Sequence, residues 1–442
     1  MLLEFRTQNY KSFVEEAIFR LIPAPKQKGL DYSLLKENIK GKKIKALASS
    51  VIYGPNATGK TNIIGAMDVM RAIVLRGNIR NYDEHSLPND AVALLELIPN
   101  KELQTPQPVT FSIEFIEAGL LIKYLIKIDL GTFLDEDYKR KILLEELSVN
   151  GNEIFSRRNE LKLGNISILK DYLFESTEKN NNSAIEFSKN SLVDDELFLT
   201  NGFKLIYSQK LVKLIYDWFK DKFMVIYHAN SMQLIKKFAD PQKKTVYIEK
   251  TTNDAAKLFG INSNAVGYVV GEDNSEPKLC SILKNIKTRN DIALNAELFE
   301  SYGTIRFIHL FPLIIRAMQT GGTLVIDEFD ASIHPMALMS IVNIFHNDEI
   351  NINHAQLIFN THNPIFLNSN IFRRDEIKFV DRDDETHYST LYSLSDFRTS
   401  GKNGVRGNED YMKNYFIDKY GAIKEIDFTP VFEQLLNDGE EI

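Results

Sequence analysis

The octapeptide Gly54-Pro55-Asn56-Ala57-Thr58-Gly59-Lys60-Thr61 constrains this chain more than any other segment. It fits the G-x-x-x-x-G-K-[ST] pattern, follows a short apolar strand at Ser50–Tyr53 and precedes an apolar-periodic helix from about Thr61 to Leu75. A phosphate needs several donors close together. Glycines let the backbone curl so that consecutive N–H groups face one anion, and the following helix N-terminus adds the positive end of its dipole. In such a loop Lys60 reaches the β- and γ-phosphates of a nucleoside triphosphate, and the Thr61 hydroxyl ligates Mg²⁺. A glycine-containing turn before an amphipathic helix is the plainer reading of the same letters; the flanking strand and helix argue for the phosphate loop. The expected ligands are ATP and Mg²⁺.

Leu324-Val325-Ile326-Asp327-Glu328 is an apolar strand that ends in two carboxylates. Adjacent charges at the tip of a buried strand ask for a cationic partner. Beside a phosphate loop that partner is Mg²⁺, held by Asp327 directly or through water, and Glu328 would orient and polarise the attacking water as general base. The alternative is a strand running into an acidic surface turn, since Asp330 follows. Leu357–Asn360 delivers His362 in a similar way, through Thr361-His362-Asn363-Pro364. A neutral imidazole there can hydrogen-bond the γ-phosphate or the attacking water. Alone, a histidine after a strand is more often a satisfied core or turn residue; its place after the other two motifs is what marks it. Ser301 and Gly303 precede a long apolar helix, where they can cap it and present its N-terminus to an anion, although a plain cap reads the same.

That helix, Ile305–Met318, closes at Gly321-Gly322; a strand at Thr323–Ile326, a helix at 337–346 and a strand at Gln356–Asn360 follow. Such alternation argues for a parallel sheet flanked by helices. With the phosphate loop near one end of the chain and these strands near the other, one nucleotide-binding sheet must be assembled around an insertion. Residues 2–7 and 17–22 read as a hairpin-like start, and the basic stretch Lys36–Lys45 as a solvated loop or helix face. Residues 109–115, 120–130 and 142–149 read as an antiparallel meander, with a tight turn at Asn150-Gly151 into 153–156. Residues 165–300 read as mostly helical and polar, with an exposed loop at Asn180–Asn182. The expected layout is an N-terminal part of the ATPase domain over 1–100, the meander over 101–165, a mainly helical insertion over 166–298 and the C-terminal part over 299–442. No internal repeat or long heptad tract points to an extended coiled-coil arm.

No run approaches the roughly 18–20 apolar residues of a membrane helix, and the charged start MLLEFRTQNYKSF lacks a signal peptide's apolar stretch. Cys280 is the only cysteine, which excludes an intrachain disulfide and fits a reducing compartment, so a cytoplasmic protein is expected. A net charge of −7 shows no dominant nucleic-acid-binding face, while leaving room for a local basic groove.

Together these residues resemble the ABC-type ATPases of the SMC, RecF and OLD superfamily, nearest to the compact bacterial AAA-family ATPases of anti-phage and abortive-infection systems, such as the PARIS ATPase subunit and AbiL-type modules. The likeness is carried by FRTQNYKSF (Phe5–Phe13), the Walker A segment Tyr53–Asn62, the signature-like Ser301–Arg306, Walker B with the D-loop at Val325–Pro335, the switch Thr361–Pro364 and the tail Tyr415–Ile426. It implies an α/β, ABC-type P-loop NTPase with a mixed central sheet, an antiparallel β lobe and a helical insertion. It adds Asn62 to the nucleotide-binding residues. It also implies that Ser301 and Gly303 contact the γ-phosphate held by an opposite subunit, giving a homodimer with two ATP molecules sandwiched between loops and signatures. Asp330 and Ser332 would sit across that interface; larger assemblies stay open. Tyr302 departs from the transporter-type LSGGQ signature, where a glycine stands, and neither Gln104 nor Gln107 is assigned as the Q-loop residue.

Three functions fit. The first is a defence ATPase whose nucleotide-dependent assembly holds, then releases, a separate effector such as a Toprim nuclease. The second is a RecF-like DNA-repair ATPase that clamps a duplex, with a basic groove including Lys36–Lys45. The third is a scaffold in which ATP is mainly structural. Asp381, Asp383 and Asp384 suggest a nuclease metal site less than a hairpin turn between strands at 377–380 and 390–394.

Overall fold

The computed structural model describes residues 1–25, 27, 29–80, 95–103, 105–133, 138–174, 186, 192–227, 245–247, 250–261, 263, 265–269, 278–287, 290–399, 404–406, 409–424 and 426–438. Gln104 and Asn180–Asn182 lie outside them.

The chain opens with β1 (Leu2–Gln8) and β2 (Ala17–Arg20), then the hairpin β3 (Leu34–Ile39) and β4 (Lys42–Leu47). β5 (Ser49–Tyr53) leads into α1 (Lys60–Arg76), and β6 (Val109–Glu117), β7 (Leu120–Asp129), β8 (Lys141–Val149), β9 (Asn152–Arg157) and β10 (Leu161–Leu163) form the meander. Next come α2 (Gln209–Asp217), β11 (Phe223–Ile226), β12 (Thr245–Tyr247), α3 (Lys250–Phe259), β13 (Ala265–Val269), β14 (Lys278–Lys284) and β15 (Asp291–Asn295). The last part carries α4 (Tyr302–Thr320), β16 (Thr323–Ile326), α5 (Pro335–His346), β17 (Gln356–Asn360), β18 (Ile377–Arg382), β19 (Ser389–Ser393), α6 (Tyr411–Phe416) and α7 (Thr429–Asp438).

The central sheet has the order β11-β16-β17-β5-β18-β19, parallel except for the β18–β19 pair. β16, β17 and β5 are buried at every position, as strands covered on both faces must be. Alternation sorts their side chains between two cores. Val51, Tyr53, Leu324, Ile326, Leu357 and Phe359 pack with α4 and α5. Ile52, Val325 and Ile358 point the other way, into a core shared by α1 and a seven-stranded antiparallel sheet of order β10-β9-β8-β7-β6-β1-β2. The turn at Asn150-Gly151 has φ of 50° and 78°, the left-handed pair that a two-residue hairpin needs.

Two segments differ from the sequence reading. The stretch read as mostly helical contributes β11 to the edge of the central sheet and holds a four-stranded antiparallel sheet, β12-β13-β14-β15. Its α3 and β13 reach α4 through Ala256, Val266 and Ile308. Phe223-Met-Val-Ile226 is a short apolar run, and hydrophobic periodicity alone does not separate such a strand from a turn of buried helix. Lys36–Lys45 is a β hairpin, not a loop or helix face: Leu35, Ile39 and Ala46 alternate inward onto Met1 and Leu3, while the lysines between them mask the period. Among the described residues, no helix is long and apolar enough to cross a membrane.

Gln356, fully buried at the start of β17, ties the lobes together. Its Oε1 accepts from Leu2 N at 2.6 Å and Thr323 Oγ1 at 3.0 Å, and its Nε2 donates to Leu2 O at 3.0 Å and Leu47 O at 2.9 Å. Gln356→Leu would leave these groups buried and unpaired, and a loss of about 3 kcal/mol is expected in urea unfolding. A change below about 0.5 kcal/mol, the usual surface value, would contradict this role.

Candidate nucleotide site

Parallel neighbours send their C-terminal ends to one edge, the place where open α/β sheets bind ligands. Here the ends of β16, β17 and β5 lie side by side, with Ile326 opposite Phe359 and Asn360 opposite Ile52. The tips of β16 and β5 are two strand spacings apart, roughly 10 Å, a gap that side chains can close. They do: Thr61 Oγ1 donates to Asp327 Oδ1 at 3.2 Å. The phosphate-loop residues and the acidic strand end thus meet across the whole insertion.

The loop curls through left-handed Ala57 (φ 63°) and Gly59 (φ 107°). Asn56 and Ala57 are exposed at its crest, while Thr58, Gly59 and Lys60 are buried. Lys60 Nζ donates to the carbonyls of Gly54 at 2.7 Å and Pro55 at 2.6 Å, and Thr58 Oγ1 to Pro55 O at 3.0 Å. Burial lowers the Lys60 ammonium to about 8, and the carboxylates of Asp327, Glu328 and Asp330 oppose that shift. Asn62 turns sideways, its Nδ2 donating to Ser12 Oγ at 2.7 Å. Ser389 Oγ donates to Thr58 O at 2.5 Å and Ser389 N to Ser12 O at 2.8 Å, while Arg382 Nη1 reaches Ala57 O at 3.2 Å. β19 and the turn after β1 therefore brace the loop from outside.

His362 follows β17 on the same edge. Its imidazole is held below the usual histidine value by desolvation and then by the Lys60 charge, with Asp330 and Glu328 pulling the other way. That balance favours the neutral imidazole. Its turn is secured by Asn363 N donating to Thr361 Oγ1 at 2.9 Å and Tyr53 OH donating to Asn363 O at 2.8 Å.

Ser301 caps α4, accepting from Thr304 N at 3.1 Å, and does not bond to the phosphate loop of its own chain. Gly303 presses on the turn after Glu328; a Cβ there would stand 2.1 Å from Ser332 O. His334 caps α5 through Nδ1, which accepts from Met336 N at 3.3 Å. Asp383 and Asp384 lie in the β18–β19 turn, Asp383 Oδ1 accepting from Thr386 N at 2.7 Å and Asp384 pairing with Lys424 at 2.8 Å.

Two residues escaped the sequence reading. Asn360 Nδ2 donates to Asp327 Oδ1, and its Oδ1 accepts from Glu328 N at 2.5 Å. A polar residue closing an apolar strand, as at Asp327, was the available signal. Arg306 Nη2 donates to Glu328 O at 2.6 Å, and nothing in the apolar helix around it marks that role.

Among the described residues, no three or more His, Cys, Asp or Glu side chains gather as a metal cage. The Thr61 hydroxyl and Asp327 carboxylate are hard oxygen donors, and with substrate oxygens they suit Mg²⁺, which is usually bound by one or two carboxylates plus phosphates. A separate open cleft of about 1310 Å³ on the antiparallel lobe, lined by Arg80, Leu97, Tyr138, Arg140 and Asp194 among others, contains none of these residues.

A family model described as "AAA domain, putative AbiEii toxin, Type IV TA system" matches residues 49–368, from the first residue of β5 to just beyond the His362 turn. No curated protein matches the sequence. Among solved structures, the "SMC head domain from Thermotoga maritima" aligns over 89% of this chain and 98% of that chain, at 13% identity and a TM-score of 0.36. The fold described above stands on its own strand order rather than on that likeness.

At Gly59 an added Cβ would lie 2.6 Å from Ser12 Oγ and 2.8 Å from Ser389 Oγ, in a backbone conformation that disfavours side chains. Gly59→Ala is expected to cost about 1–3 kcal/mol in urea unfolding, and Asn56→Ala at the exposed crest less than about 0.5 kcal/mol. Equal midpoints for the two variants would contradict the bracing described here.

Proposed function

The chain belongs to the AAA-domain family of the AbiEii-toxin, Type IV TA description, and on that premise we propose an ATP-binding and hydrolysing ABC-type ATPase whose nucleotide-dependent assembly senses a trigger and controls a separate effector. The observation that carries the enzymatic part is the 3.2 Å contact of Thr61 with Asp327, on the sheet edge that also bears Lys60, Glu328 and His362. In this reading the loop N–H groups from Gly54 to Thr61 cradle the triphosphate, and Lys60 exchanges its two loop carbonyls for phosphate oxygens. Thr61 and Asp327 would hold Mg²⁺, which when bound offsets the charge on the phosphate oxygens. Glu328 takes a proton from the attacking water as general base. His362, as the neutral imidazole, hydrogen-bonds the γ-phosphate or that water.

A homodimer follows in the same proposal. Ser301 stands exposed at the N-terminus of α4, hydrogen-bonded to Thr304 rather than to its own loop, with exposed Tyr302 and Met336 next in sequence to the signature and D-loop. Two such faces closed over two ATP molecules would be stabilised by ligand and loosened by its hydrolysis. The family description names a toxin and a Type IV TA system; the role we propose is in phage defence, in the cytoplasm, through an effector such as a Toprim nuclease, and it rests on the resemblance of the sequence motifs to defence ATPases.

Lys60→Ala is expected to abolish ATP binding and biological activity with the unfolding midpoint retained. Glu328→Gln is expected to keep binding and lose about 10²–10⁴-fold in turnover, measured as phosphate release. Wild-type turnover no faster than that of Glu328→Gln would instead support the scaffold reading, in which ATP is mainly structural.

One observation favours a second reading, a RecF-like ATPase that binds DNA itself. In the β3–β4 hairpin Lys36 stands directly opposite Lys45, and Lys43 opposite Asn38, all exposed. Like charges in register are destabilising, and among the described residues Lys36, Lys43 and Lys45 have no acidic partner. If duplex DNA is the counterion, log affinity falls with log salt, and Lys36→Glu/Lys43→Glu/Lys45→Glu flattens that slope by about 3. Fluorescence anisotropy with a labelled duplex measures it; a wild type without salt-dependent binding removes this reading.

A further inference from the structure

Glu328 has a backbone φ of 50°, a left-handed conformation uncommon outside glycine and, for a non-glycine residue, worth an explanation. Two side chains from other elements hold it there. Asn360, buried at the end of β17, accepts the Glu328 N–H on Oδ1 at 2.5 Å and turns its Nδ2 to Asp327 Oδ1. Arg306, buried on α4 one turn beyond Gly303, donates Nη2 to the Glu328 carbonyl at 2.6 Å. Among the described residues Arg306 has no carboxylate partner, and its Nε is buried without a hydrogen bond. A buried guanidinium so poorly compensated is costly for the fold, which marks the one strong bond it does make.

We propose that Asn360 and Arg306 are positioning residues for hydrolysis: they grip the peptide groups on either side of the Glu328 Cα and so aim its carboxylate. The inference rests on the reading of Glu328 as general base. Asn360 joins Asp327 to Glu328, so the two carboxylates move as a unit. Arg306 links them to α4, whose first residues are Tyr302 and Gly303 behind the Ser301 cap, so a displacement of that helix reaches Glu328 through a single hydrogen bond. Neither residue needs to touch the nucleotide.

The test is steady-state ATP hydrolysis by the full chain, with a fluorescent ATP analogue to follow binding. Misaiming a reacting group by about 1 Å can cost about 10²-fold, so Asn360→Ala and Arg306→Ala should each lower kcat by about 10–100-fold. An interaction that serves only the chemical step leaves ground-state binding alone, so KM and analogue affinity should stay within about two-fold. Arg306→Lys, which can still donate to the same carbonyl, should recover part of the loss. In the Glu328→Gln background Arg306→Ala should change turnover by less than about two-fold, because the group being aimed is gone, while Asn360→Ala retains whatever effect it has through Asp327. The proposal is overturned if kcat is unaffected, if KM of Arg306→Ala rises in step with lost stability, or if Arg306→Ala still costs about tenfold without the Glu328 carboxylate. Should Arg306→Ala fail to fold, Arg306→Gln carries the same expectation. Failure of the ATPase reading looks different: the wild type itself then turns over no faster than Glu328→Gln.

Discussion

The hydrogen bond between Thr61 and Asp327 depends on β17 lying between β5 and β16. Parallel pairing brings three strand ends to one edge, and the strand spacing sets a gap that a hydroxyl and a carboxylate can span. Everything proposed for the site follows from that arrangement. A single-residue slip in either pairing would send the side chains of β17 into the opposite cores and move Asn360 off the edge at once. The apolar alternation that divides the central strands between two cores therefore also keeps the site in register.

The insertion takes part in this frame. β11, far from the phosphate loop in sequence, pairs with β16 in full register from Phe223–Thr323 to Ile226–Ile326, and Asp327 N donates to Ile226 O at 2.9 Å. The strand that presents the acidic pair is thus flanked on both sides, and its tip is held by the backbone of one neighbour and the Asn360 side chain of the other. Gln356 does the equivalent work at the base of β17, where it bonds to β1 and to the end of β4.

The parts legible in sequence were those whose chemistry is local. Gly54 to Thr61 announces its loop because glycines, lysine and threonine must stand at fixed offsets, and Thr323–Ile326 and Gln356–Asn360 announce strands because buried parallel strands are uniformly apolar. The chemistry of a shared cation pairs Thr61 with Asp327, and the two stand 3.2 Å apart. The four-stranded sheet at 245–295 was not legible, since short strands such as Thr245–Tyr247 have too few residues to show a period. The β3–β4 hairpin was hidden by composition: the lysines drew attention to charge while Leu35, Ile39 and Ala46 carried the alternation. Arg306 closes the signature-like stretch, but its bond to Glu328 has no sequence signal, because the partner is a backbone carbonyl that leaves no trace in the side chains of either segment.

Both ends of the central sheet carry buried polar groups. At the end away from the phosphate loop, Ser49 Oγ lies 2.7 Å from His346 Nε2 and donates to Glu376 Oε1 at 2.9 Å, and Arg373 pairs with Asp375 at 2.9 Å, while His346 Nδ1 and Arg374 Nε are buried without a hydrogen bond. At the loop end, Ala57, Glu328 and Ser332 all have positive φ, and the Arg306 guanidinium is left partly unpaired. Left-handed non-glycine residues persist only where their surroundings over-determine them. At Glu328 those surroundings are the Asn360 side chain, at the end of a strand buried along its whole length, and the Arg306 side chain, on a helix packed against the sheet. The conformational cost thus falls on the edge where a bound triphosphate could repay it. Left-handed residues also stand in the antiparallel lobe, at Asn9, Lys11, Ala118 and Asn150; what sets Glu328 apart is that side chains from two other elements hold the peptide groups on both sides of it.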